Sequence, residues 1–103
     1  MKSLREKMTN FNEIQKQSHE IKNIAAKCGV DHIRVFGSVA RGEALRESDI
    51  DFLVHFTKKG NLLDLVRLKS ELEKLLQHHV DVVTEQGLHW YIRDSVLKEA
   101  RDF

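Results

Sequence analysis

Apolar residues recur along this chain with two different periods, and the periods divide it into elements. Phe11, Ile14, Ser18, Ile21 and Ala25 fall three and four apart, which predicts one helix from about Phe11 to Lys27. Asn10 with Glu13 three residues later is an N-cap signal, and Gly29 is a stop. Residues 2–8 read as a separate helical turn or an arm. His32 to Phe36 is short, β-branched and aromatic, and reads as a strand ending at Gly37. From Asp49 to Phe56 the period is two, with Asp49, Asp51, Leu53 and His55 on one face and Ile50, Phe52, Val54 and Phe56 on the other. Lys58, Lys59 and Gly60 form a solvated turn. Asn61 then caps a helix from about Leu62 to Gln77, whose stripe is Leu65, Leu68, Leu72 and Leu75 or Leu76. His79 to Thr84 alternates again, with Val80 and Val82 opposite Asp81 and Val83. Gln86 and Gly87 break it, and a short helix from about Asp94 to Arg101 closes the chain.

The predicted order is helix, strand, strand, helix, strand, helix. The apolar strand faces and helix stripes must meet, which gives an α/β (α+β) fold: one small mixed sheet with helices packed on one face. The other sheet face would be open and would carry Asp49, Asp51 and Asp81. With 103 residues, no proline, no repeat and no linker-like tract, residues 1–103 are expected to form one domain.

Charge narrows the partners. The 17 basic and 16 acidic residues nearly cancel, and neither half is a polycation, so extended nucleic-acid binding through phosphate neutralisation is not expected. The polar stretch Met1–Asn10 is no signal peptide, and no apolar run suits a membrane. Cys28 is the single cysteine, so an intrachain disulfide is excluded and a reduced, cytoplasmic setting is expected.

The chemistry sits on the strand faces. Two aspartates at i and i+2 lie on one side of a strand, about 6–7 Å apart. Such carboxylates repel unless a cation lies between them, and magnesium, which takes oxygen ligands, is the expected ion. Asp81 on a neighbouring strand would supply a third carboxylate, a set suited to two-ion displacement at phosphorus. Before the acids, Phe36-Gly37-Ser38 ends a strand where a short helical turn, Val39 to Gly42, is expected. Gly37 would let a phosphate approach the backbone, Ser38 offers a hydroxyl, and Arg41 could add charge-assisted bonds.

These residues also carry a resemblance. GSVARGEALRESDID, residues 37–51, resembles the signature of the polymerase-beta-like nucleotidyltransferase superfamily: a Gly-Ser pair, ten residues, then Asp-x-Asp. Within it the chain resembles the minimal nucleotidyltransferases of prokaryotes. The resemblance implies that Gly37 and Ser38 hold a nucleotide triphosphate, that Asp49 and Asp51 are catalytic metal ligands, and that Asp81 is the third metal-binding carboxylate. Asp81-Val82-Val83-Thr84 looks like the family's third motif. It further implies magnesium-dependent transfer of AMP from ATP to a hydroxyl. Minimal members commonly pair with HEPN-domain proteins in toxin–antitoxin modules, the nucleotidyltransferase being the antitoxin that adenylylates a toxin tyrosine.

Other features have plainer readings. Asp49 and Asp51 would, without Gly37-Ser38 at the right distance, be a solvated strand face. Ser38 could also cap its turn, Arg41 could be a surface charge, and Ser48 is expected to order the loop into the strand. His78 and His79 are adjacent and diverge, which argues against zinc. Trp90 and Tyr91, placed before the final helix, are core or edge packing, or else a partner interface. Two rival functions remain at this point: a non-catalytic module that masks a toxin, and a catalytic subunit that modifies a small molecule. An oligomer is also compatible with the sequence.

Overall fold

The computed structural model describes residues 10–45, 47–57 and 62–103, so the expected arm at residues 2–8, the expected turn at Lys58, Lys59 and Gly60, and the expected cap Asn61 lie outside the described residues. The Asn10 side chain accepts from the Glu13 N–H at 3.0 Å, the predicted N-cap. The first helix is not continuous. It divides at Gln17 into α1 (Phe11–Lys16) and α2 (Ser18–Lys27). The Gln17 N–H closes back on the Ile14 carbonyl at 3.1 Å, a tightened turn. Ile14 and Ile21, on either side of it, are both fully buried. Gly29, at φ +83°, ends α2 as predicted.

β1 (Val30–Phe36), β2 (Ile50–Phe56) and β3 (Val80–Thr84) form one sheet in the order β1-β2-β3. β1 and β2 are antiparallel; β2 and β3 are parallel, joined through α4 (Leu62–Leu76). The sheet is mixed, as expected. Ile33, Val35, Ile50, Phe52, Val54 and Val80 turn one face to Ile21, Ala25, Leu68, Leu72 and Leu76 of α2 and α4, and this is the core. Burial of that face, at about 25 cal/mol per Å² of apolar surface, is the main force holding the sheet in place.

The second face is only partly open. It carries Asp51, Leu53 and His55 from β2, Arg34 and Phe36 from β1, and Asp81 and Val83 from β3, by register. Leu53 is fully buried although it points the same way as Asp51. Arg34 Nη2 and Glu85 Oε2 meet at 2.8 Å across β2, and both side chains are largely buried. Their pair roofs Leu53 and divides the acid-bearing end from the other end of the face.

The last helix, α5 (Trp90–Glu99), begins four residues before the expected Asp94. His89 is extended, and its carbonyl takes the N–H groups of Ile92 and Arg93 at 3.1 Å each. Trp90 and Tyr91 are therefore the first residues of the helix. They are 79% and 67% exposed, which rules out core packing. Arg93 fastens the start of α5 to the Glu85 carbonyl at 2.6 Å. Past its end, Arg101 pairs with the free edge of β1 through two bonds to Val35, at 3.0 and 2.7 Å. Phe103 then packs edge-on against Phe52, centroids 6.0 Å apart.

Candidate functional site

The chain leaves β1 beside Asp51, because Phe36 and Asp51 are register partners. The turn that follows needs Gly37. Its φ is +72°, and a Cβ there would run into the Asp51 carboxylate, 3.2 Å from Cγ. α3 (Gly37–Arg41) starts at Gly37, two residues before the expected Val39, and Gly42 at φ +74° ends it. Phe36 is its N-cap and no side chain caps it, so the Ser38 hydroxyl is not a cap. The Ser38 carbonyl instead receives the Glu43 N–H at 2.8 Å.

The loop from Gly42 returns to β2 through Ser48, in the ordering role the sequence suggested. Its hydroxyl accepts from the Leu45 N–H at 3.0 Å, and its own N–H binds the Leu45 carbonyl at 2.9 Å. His78 Nε2 donates to the Ser48 carbonyl, so this histidine anchors the loop from β3's side. Asp49 emerges exposed, one step before β2. Asp51 is half-buried inside β2, and Asp81 is its register partner on β3. Neighbouring strands are about 4.8 Å apart, so these two carboxylates stand side by side.

Their proximity has an electrostatic signature. Burial first, then the charges of Asp81, Asp49 and Glu99, push the Asp51 carboxyl from 3.8 up to about 6, with Arg41 opposing. A half-buried carboxylate with further hard oxygen donors beside it suits a divalent cation. Among the described residues, no three His, Cys, Asp or Glu side chains converge into a ready ligand set. Magnesium usually takes one or two carboxylates and completes its shell with water and substrate phosphate.

Arg41 is near Gly37, but two of its three nitrogens are engaged. Its Nε binds Glu43 at 2.8 Å and its Nη1 binds Glu99 at 2.7 Å. Glu99 is a residue that no sequence pattern singles out. It lies 62 positions from Gly37, yet its Oε1 also accepts the Gly37 N–H at 2.6 Å. Arg101 completes the tie from the C-terminal side, with Nη1 at 3.3 Å from the Ala40 carbonyl and its guanidinium 3.7 Å above the Phe11 ring. Gly37, Ser38, Arg41, Asp49, Asp51 and Asp81 therefore gather at one end of the sheet face. The paired histidines do not: His79 is exposed, and His78 serves the loop.

A nucleotidyltransferase domain profile matches residues 14–103. A Methanocaldococcus jannaschii protein named as a candidate protein adenylyltransferase is 47% identical over 90% of this chain and 97% of its own length. Protein adenylyltransferase MntA of Thermococcus cleftensis is 42% identical over 76% of this chain and 79% of its own. The solved structure of a candidate minimal nucleotidyltransferase superposes with a TM-score of 0.83 at 42% identity, covering 92% of this chain and 97% of that one. A more distant likeness, of fold alone, is to a complex of a tri-AMPylated Shewanella oneidensis HEPN toxin with its MNT antitoxin. Its TM-score is 0.66 at 19% identity, over 85% of this chain and 69% of that one.

Proposed function

The chain belongs to the nucleotidyltransferase domain family, and from that premise we propose that it is a protein adenylyltransferase that transfers AMP from ATP to a tyrosine hydroxyl of a HEPN-type toxin partner. The observation that carries this reading is the placement of Gly37 directly against Asp51, with Asp81 in register beside it. A phosphate-approach turn and a carboxylate set thus share one end of one sheet face. The adenylyltransferase names of the relatives support the reaction class, and the AMPylated HEPN toxin in the Shewanella complex supports the acceptor.

In this mechanism Asp49, Asp51 and Asp81 are the residues that would hold magnesium, which when bound would supply charge neutralisation for the polyphosphate and activation of the attacking oxygen. The Gly37 N–H and the Ser38 hydroxyl hold the triphosphate, and Arg41 adds charge to it. Asp81, the more exposed member of the register pair, is placed to take the acceptor's proton. The acceptor hydroxyl attacks the α-phosphorus in line, and pyrophosphate leaves. No second lobe covers the acids among the described residues. The acceptor must therefore be positioned by the partner protein, and positioning supplies much of the rate in such reactions. The reading includes a reduced, cytoplasmic setting, which the single, unpaired Cys28 fits. Among the described residues no helix is long and apolar enough to cross a membrane.

The test uses ATP labelled at the α- or the γ-phosphate, with magnesium, this protein and its HEPN partner. Label from the α-phosphate alone should appear on the partner. Label from the γ-phosphate would replace adenylyl transfer with phosphoryl transfer, and neither label would leave a masking module.

A further inference from the structure

Two of the donors assigned above to the triphosphate already hold an anion. Glu99 Oε1 accepts the Gly37 N–H at 2.6 Å and Arg41 Nη1 at 2.7 Å. A main-chain N–H beside a guanidinium is what a phosphate oxygen requires, and the carboxylate meets the same need. The Gly37 N–H has one hydrogen, so a strong bond to Glu99 and a strong bond to a phosphate oxygen exclude each other. Glu99 is three-quarters buried, and it is held from behind, since Arg101 two residues on is bonded to Val35 and to Ala40. It is the last residue of α5, so α5 reaches into the cradle.

Building on the adenylyltransferase reading, we propose that Glu99 is an internal stand-in for the nucleotide's phosphate, which occupies the cradle of the free protein and must be displaced when the triphosphate binds. The observed affinity for nucleotide is then the intrinsic affinity multiplied by the fraction of molecules in which Glu99 has let go. Glu99 also places a fourth negative charge near Asp51, Asp49 and Asp81, so its withdrawal relieves repulsion against the incoming polyphosphate. The plainer alternative is that Glu99 is a fixed strut which shapes the Gly37 turn. The two differ in sign: removing a competitor tightens binding, and removing a strut weakens it.

The experiment compares wild type, Glu99→Gln and Glu43→Gln by calorimetry with magnesium–ATP and, separately, with inorganic pyrophosphate. Glu43 also binds Arg41 but does not touch Gly37, so it controls for simple release of the arginine. Loss of a charge-assisted contact predicts about tenfold tighter binding of both probes by Glu99→Gln and a much smaller change for Glu43→Gln. The wild-type Glu99 carboxyl carbon resonance should also move during a pyrophosphate titration. Weaker binding by Glu99→Gln, with that resonance unmoved in wild type, would overturn the stand-in and leave the adenylyltransferase reading intact. Failure of every variant, wild type included, to bind either probe would overturn both.

Discussion

Gly37 and Asp51 are fitted to each other: the Asp51 carboxylate fills the space in which any other residue at position 37 would carry its Cβ. Gly37→Ala therefore meets two costs, a positive φ and a clash with a charged group that the sheet register holds in place. Together these should destabilise the fold by about 2–4 kcal/mol and lower the Tm by roughly 10 °C or more. Gly42 is the control. Its φ is +74°, but a Cβ there would meet nothing within 4 Å. Gly42→Ala should cost only the conformational part, about 1 kcal/mol. Thermal denaturation of the two variants checks this, and equal losses would show that the Asp51 contact contributes nothing.

Asp51 should make stability depend on pH. Its folded-state pKa of about 6 lies above the ordinary 3.8. The folded protein thus binds more protons than the unfolded chain between these values, and stability falls as pH rises through that window. The cost is complete above about pH 6 and absent below about pH 4. Asp51→Asn should therefore raise the metal-free Tm near neutral pH, by a term on the order of 1 kcal/mol because solvent screens a half-exposed group. The two melting curves should converge near pH 4. A Tm for Asp51→Asn at or below wild type at neutral pH would show that burial of the Asp51 charge and its repulsion from Asp81 and Asp49 carry no cost there.

The Arg34–Glu85 pair should be costly to break and cheap to replace. Arg34 and Glu85 are each 16% exposed, and the Arg34 Nε has no hydrogen-bond partner. Glu85→Ala leaves the guanidinium largely buried without its counter-charge, a loss of about 3 kcal/mol. Joint replacement by Met at 34 and Leu at 85 should recover most of it, since Leu53 beneath remains covered. A double-mutant cycle in urea measures the coupling. A coupling energy near zero would contradict the roof described for this face.

Much of this arrangement was legible in the sequence. The period-two strands, the Leu68–Leu72–Leu76 stripe and the Gly37-Ser38 to Asp49 spacing are local patterns, and each stands close to where it was expected. Three features were not legible, the last two because a contact distant in sequence decides each. The break at Gln17, where the N–H closes on the Ile14 carbonyl, leaves Ile14 and Ile21 in one core and interrupts no apolar period. The early start of α5 at Trp90 depends on the extended His89 and on Arg93 reaching Glu85, against the weak helix propensity of a Trp-Tyr-Ile run. Glu99 reads as an ordinary acid at the end of an amphipathic segment. Only the pairing of Arg101 with Val35 brings it to Gly37.

The central claim is that the acids at this end of the sheet transfer AMP to a partner protein, and the intact mass of that partner tests it most directly. The HEPN protein is co-expressed with wild type, with Asp49→Asn and with Asp51→Asn, then purified and weighed by mass spectrometry. Wild type should add the mass of one or more AMP units to the partner, and either variant should leave the partner unmodified although both variants still fold. An unmodified partner bound tightly by wild type, or full modification in the presence of either variant, would contradict it.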